Sequence, residues 1–187
     1  MRRMAAHVST LALATACLAL AAAPAAAQVK GAANFSTGYT DVGPVVGLGG
    51  INGASASFGG RFEHAVKALP DFGNGTLGIE AAFDYYSWST GGINFNYSVK
   101  YIPMGVTANY HFKLDEPKVD PFVGLGLGYN VVTCSGTFVT GGCAYGSGLY
   151  VIARAGGRYF FAPKMALYAD VGTGSALFNV GLMFKVQ

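Results

Sequence analysis

The chain has 187 residues, 52% apolar and only 11% charged, with 28 glycines and a formal net charge of +3. This length suits one domain, and the apolar fraction excludes a disordered chain. Twelve Lys and Arg against nine Asp and Glu are too evenly matched for a nucleic-acid footprint. Beyond the N-terminus no run of about 18 apolar residues occurs, which excludes a helical membrane protein.

Residues 1–27 read as a secretory signal. Arg2 and Arg3 form the charged start, residues 11–20 the apolar stretch, and Ala25-Ala26-Ala27 the small-residue cleavage site before Gln28. Cys17 is not read as a lipoprotein cysteine, because apolar residues continue past it and the better cleavage site follows. The expected mature domain is 28–187. It holds ten cationic and nine anionic side chains, a balance of +1.

The mature chain shows a period of two, the signature of strands. A first strand is placed at 32–40, where alternation is least regular. In 54–67, Phe58, Phe62 and Val66 alternate with Ser57, Arg61 and Glu63. In 76–88, Leu77, Ile79, Ala81, Phe83 and Tyr85 alternate with Glu80 and Asp84. In 96–113 the even positions from Ile102 to Phe112 are mainly apolar, whereas Tyr97, Val99 and Tyr101 are apolar in the opposite phase. A bulge at Pro103 is the expected cause, since proline cannot donate to a ladder. Further strands are expected at 119–133, 147–161, 164–172 and 175–186. In the first of these, Val, Leu and Tyr at odd positions alternate with Gly124, Gly126, Gly128 and Asn130. Connections at 69–75, 113–118 and 162–163 are short. Those at 41–53, 89–95 and 134–146 are longer, and 172–174 is a short exception. Eight strands joined this way predict an all-β, antiparallel up-and-down transmembrane barrel.

The mature chain keeps two cysteines, Cys134 and Cys143. In an exported protein an even pair closing a short loop predicts a disulfide. Neither His64 nor His111 lies near them in sequence, so no metal site is expected. Each strand has one apolar face and one face of small and charged residues. A membrane barrel turns the apolar face outward. Aromatic girdles are expected from Tyr85, Tyr86, Trp88, Tyr97, Tyr101 and Tyr129 near the long loops. Tyr110, Phe112, Phe122, Tyr159, Phe161 and Phe184 form the other near the turns. With eight strands the interior holds side chains and no water channel. The expected inward set is Arg61, Glu63, Glu80, Asp84, Arg154, Arg158 and Asp170, read as an ion-pair network with Arg154 near Asp170 and Arg61 near Glu80.

Two runs carry a resemblance: Ile102-Pro103-Met104-Gly105 with Asn109-Tyr110-His111-Phe112, and the stretch from Val119 to Tyr129. So do Ala155-Gly156-Gly157-Arg158-Tyr159-Phe160-Phe161 and Phe178-Asn179-Val180-Gly181-Leu182-Met183-Phe184. Together they resemble the OmpA/OmpX-like small outer-membrane β-barrel family over roughly 55–187. The resemblance implies a bacterial outer-membrane location and contact with lipid and lipopolysaccharide. It also implies assembly through the C-terminal strand, whose terminal aromatic signal is here shifted inward to Phe184. The peptidoglycan-binding domain that larger members of the family carry is not expected here.

The expected role is structural or surface-interactive: envelope integrity, or adhesion through the outward loops, above all 134–146 with Thr133, Ser135, Thr137, Thr140 and Tyr145. A lipid-modifying enzyme is the alternative. The lipid A deacylase type needs His and Ser two residues apart, but Lys113 follows His111 and Val66 follows His64. His111 is expected at an interface with Asp120 as cross-strand neighbour. The palmitoyl-transfer type needs an internal cavity, which a charged lumen disfavours. A narrow ion or solute pore is a further alternative. A lipocalin would carry Gly-x-Trp near its first strand, whereas the single Trp is Trp88. No phosphate loop, catalytic triad, metal cluster or cofactor motif is found, and a monomer without cofactor is expected.

Overall fold

A computed structural model describes residues 35–51, 53–92, 95–136 and 143–186. The expected signal at 1–27, the start of the expected first strand, Thr137 and Thr140 lie outside the described residues. Eight strands run in chain order: β1 (Thr40–Leu48), β2 (Ser57–Leu69), β3 (Gly75–Gly92), β4 (Phe95–His111), β5 (Val119–Gly136), β6 (Gly148–Ala162), β7 (Met165–Thr173) and β8 (Phe178–Lys185). Each pairs antiparallel with its neighbours, and β8 returns to β1, so the sheet closes into a barrel. Closure leaves no strand edge along the shared height of the wall and satisfies every ladder group there.

The first strand is not at 32–40 but at Thr40–Leu48, inside the stretch expected to be a loop. Gly43, Pro44 and Gly47 suggest a loop, yet the alternation is present. Val42, Pro44 and Leu48 face outward and Asp41, Gly43 and Gly47 inward. Gly43 faces the closing seam, where an added Cβ would lie 1.8 Å from the Leu182 carbonyl oxygen. The backbone of β8 therefore passes where any side chain would stand. The expected loop at 89–95 is instead the tip of a hairpin, with β3 and β4 paired out to Gly92 and Phe95. The bulge expected at Pro103 is absent. The β3–β4 and β4–β5 ladders keep one register on both sides of it. Register shifts occur between Ala65 and Lys67 and between Phe160 and Ala162.

Three connections (70–74, 112–118, 163–164) define one end of the barrel, the turn end. The other four define the loop end. In the 70–74 turn, Gly73 and Asn74 both take left-handed backbone with φ of 65° and 56°, a conformation that glycine and asparagine accept at least cost. Around the middle of the barrel the outer surface is apolar: Leu125 is 69% and Leu149 79% exposed, with Phe62, Phe83, Val106, Val151 and Leu167 beside them. The inner surface is the reverse, holding the buried charges of the molecule.

Candidate functional site: a packed lumen beneath a projecting wall

Inward positions alternate with outward ones along every strand, so the seven side chains expected inside share the lumen, each at most 6% exposed. Arg61 sends Nη1 to Asp84 Oδ1 at 3.0 Å, and its Nε lies 3.8 Å from Glu80 Oε1. Arg154 Nη1 reaches Glu80 Oε1 at 2.9 Å and Asp170 Oδ2 at 3.4 Å. Asn179 donates to Asp170 Oδ1 at 2.8 Å, and the Tyr168 hydroxyl donates to Asp170 Oδ2. Ser175 caps the loop-end side by donating to Asp84 Oδ2 at 2.6 Å.

At the turn end Arg158, 1% exposed, is the hub. Its Nε lies 2.9 Å from Asp41 Oδ2 without the alignment of a hydrogen bond. Its Nη1 donates to Asp120 Oδ2 at 3.2 Å and its Nη2 to Glu63 Oε2. The guanidinium also lies over the rings of Phe35, Phe122 and Tyr168, at 5.0, 5.6 and 5.8 Å. His111 completes the cluster: Nδ1 is 2.9 Å from Asp120 Oδ1 and Nε2 2.9 Å from Glu63 Oε1. Phe35 stacks on that imidazole at 3.6 Å. Together with Tyr39 it closes the turn end from below. Burial and the Asp41 carboxylate push the Tyr39 hydroxyl well above the ordinary phenol range, so it remains a donor to Asp41 Oδ2 at 3.3 Å.

The lumen also holds charged residues beyond the expected seven. Asp41 lies on the strand placed elsewhere. His111, expected at an interface, and Asp120, its expected cross-strand neighbour, are buried with 2% and 4% exposure. The expected contact of His111 with Asp120 is present, but inside the barrel, and the Cα partner of His111 is Phe122. Period-two counting from Thr107 and Asn109 would have placed His111 inward. Among the described residues the lumen thus sets Asp41, Glu63, Glu80, Asp84, Asp120 and Asp170 against Arg61, Arg154, Arg158 and His111. No group of His, Cys, Asp and Glu among the described residues is arranged to hold a metal.

Near the loop end the polarity of the wall inverts. β3, β4 and β5 run beyond their neighbours: β2 pairs with β3 only up to Tyr85, and β6 with β5 only up to Asn130. From Ser87, Lys100 and Thr133 onward the outward residues are polar. Ser87, Lys100 and Thr133 form one cross-strand row, and Ser89, Ser98 and Ser135 the next. The inward ones are apolar. Tyr86, Val99 and Tyr101 cluster with Ile51 and Ala176, and Trp88, Tyr97, Val132 and Cys134 pack against them. Tyr86 stacks on Tyr101 at 4.7 Å. The phase change that suggested a bulge is this exchange of inside for outside. It also corrects the girdles. Tyr86, Trp88, Tyr97 and Tyr101 face inward, as does Phe122 at the other end, whereas Tyr85, Tyr129, Phe112, Tyr159, Phe161 and Phe184 are exposed. Cys134 and Cys143 are bonded, with Cα atoms 5.4 Å apart. The bond holds the following segment so that Tyr145 meets Trp88 and Tyr101 edge-on.

No family model matches the chain, and no curated protein matches it in sequence. Solved structures do match in fold. The N-terminal β-barrel domain of Pseudomonas aeruginosa OprF aligns at a TM-score of 0.52 and 14% identity, covering 80% of this chain and 98% of that one. Ail, the attachment invasion locus protein of Yersinia pestis, aligns at 0.49 and 15% identity in its complex with the heparin analogue sucrose octasulfate, covering 79% and 93%. A second structure of Ail gives 0.47 and 15% over the same shares. With its closed eight-stranded barrel, the chain has the fold of the small OmpA-like outer-membrane barrels.

Proposed function

We propose that this chain is an integral protein of the bacterial outer membrane with a structural or surface-interaction role and no catalytic one. Residues 1–27 serve as its export signal, removed on secretion, and the C-terminal strand is read by the outer-membrane assembly machinery. It works as a monomer whose belt is covered by lipid and lipopolysaccharide. The loop end faces the outside, where it supports envelope integrity or adhesion.

The observation that carries this reading is the polarity inversion. A membrane barrel carries its apolar band outside only where it meets hydrocarbon, so a wall that passes from lipid into water changes its wet face part-way up. The outward apolar run on β5 extends from Val119 to Val131 before Thr133 begins the polar rows, enough for the roughly 9–11 residues that a tilted strand needs to cross a bilayer. Below the inversion the ion-pair network fills the lumen, which supports a closed barrel over a pore.

Single cysteines at Ser89 and Asp115, probed in intact cells with a membrane-impermeant maleimide, test the orientation. Ser89→Cys should label directly and Asp115→Cys only after permeabilisation. Equal labelling of both, or the reverse pattern, rejects the reading. Deleting 137–142 should alter surface attachment or envelope integrity while leaving the barrel folded. Unchanged behaviour in both assays argues against the loop role.

A further inference from the structure

At the loop-end mouth, between the aromatic cluster and the top of the ion-pair network, lies a cavity of about 230 Å³. It is smaller than the pockets that take drug-sized ligands and has room for a single ring-sized molecule. Its walls are Tyr86, Asn130, Tyr150 and Ser175, completed by glycines that include Gly146 and Gly148. No acidic or basic side chain lines it. The nearest carboxylate, Asp84, is already engaged by Arg61 and by the Ser175 hydroxyl. Arg154 Nη2 comes within 3.4 Å of a Cβ added at the lining Gly174, but Arg154 is held by Glu80 and Asp170, so neither a cation nor an anion finds a free partner there, and burying an unpaired charge is costly.

Three features give the cavity a preference among neutral molecules. First, Asn130 Oδ1 is buried without a hydrogen-bond partner, an acceptor left for a donor from outside. Second, two aromatic rings are held in place. Tyr86 is fixed by its stack on Tyr101. Tyr150 lies across Gly128, where a Cβ would come within 2.2 Å of its ring, and its hydroxyl reaches the Met104 carbonyl at 3.3 Å. Third, the lining glycines leave backbone polar groups accessible beside those rings. Hydroxyl donors on the edge of a flat ring, with C–H bonds on its faces, suit both kinds of wall.

We infer that this cavity is a binding site for one neutral pyranose unit, the end of a surface glycan or a free sugar. The site goes beyond the structural reading above, and it does not depend on which side of the membrane the loop end faces. Gly146 and Gly148 have nothing within 4 Å of an added Cβ, so Gly148→Val fills the site without straining the wall.

The test is a titration of the purified full chain, folded in lauryldimethylamine oxide micelles and ¹⁵N-labelled, with methyl β-D-glucopyranoside as the probe. Saturable shifts confined to the amides of Gly146, Gly148, Gly174 and Tyr86 are expected, with a Kd on the order of millimolar. Gly148→Val and Asn130→Leu should each weaken binding by about tenfold or more while keeping the folded spectrum. Glucuronic acid should bind correspondingly worse. Absence of saturable shifts in the wild type overturns the site. So do equal shifts in Gly148→Val, or equal binding of the charged sugar. Should a variant fail to fold, the wild-type titration and the charged-sugar comparison decide alone. None of these failures moves the maleimide result, so the site and the membrane reading stand or fall separately.

Discussion

Replacing Arg158 by methionine removes the one guanidinium among the described residues that faces Asp41, Glu63 and Asp120 together. The stem still fills most of the space, so the loss is electrostatic. The three carboxylates then face one another with only the His111 imidazole still bonded to two of them, Glu63 and Asp120, and the rings of Phe35, Phe122 and Tyr168 lose the charge above them. Removing one partner of a buried pair costs about 3–5 kcal/mol, and one cation–π contact adds roughly 0.5–1 kcal/mol. A total of about 4 kcal/mol is a large share of a typical stability of about 5–15 kcal/mol. At a slope of roughly 2 kcal/mol per molar, it moves a urea midpoint down by about 2 M. Equilibrium unfolding in detergent, followed by the loss of the heat-shifted electrophoretic band, measures this. Adding Glu63→Gln to Arg158→Met should restore part of the loss, because it removes one of the unpaired charges and the two sites are coupled. A midpoint for Arg158→Met within about 0.3 M of wild type, worth roughly 0.5 kcal/mol, would refute the network as a stabilising element.

Other consequences follow from the same geometry. Gly43→Val should block closure of the β1–β8 seam and leave only the unfolded band, whereas Gly60→Ala, whose Cβ would meet nothing nearer than 3.7 Å, should fold normally. Cys134→Ser should release the loop after β5, at a cost of about 2–3 kcal/mol for a bridge closing a short loop. Its sign is faster proteolysis near Tyr145 with an unchanged barrel. In planar bilayers the protein should give no steady conductance, since ion pairs fill its lumen. Resolved single-channel steps would contradict the closed interior.

The period of two makes seven strands and seven of their inward charges legible, because lipid or core on one side and a crowded lumen on the other force alternation at every residue. Asp41 was lost with its strand: Gly43, Pro44 and Gly47 are loop formers by composition, and only the pairing with β2 and β8 makes them a strand. His111 reads as interfacial, and Asp120 stays outside the expected inward set, because nearness to a turn says how high a residue sits on the wall and nothing about which way it points. The aromatics failed for a related reason. Alternation shows that Tyr97, Val99 and Tyr101 share a face, but whether that face meets lipid or a local core depends on height above the membrane. The height is set by how far β3, β4 and β5 outrun their neighbours, a property of the closed sheet that no single strand carries.

The central claim, an inside-out barrel inserted in a membrane, is tested most directly by fractionating expressing cells and running the chain with and without boiling. An outer-membrane band that migrates faster unboiled and shifts on heating is expected. A soluble periplasmic band with no heat shift would contradict it.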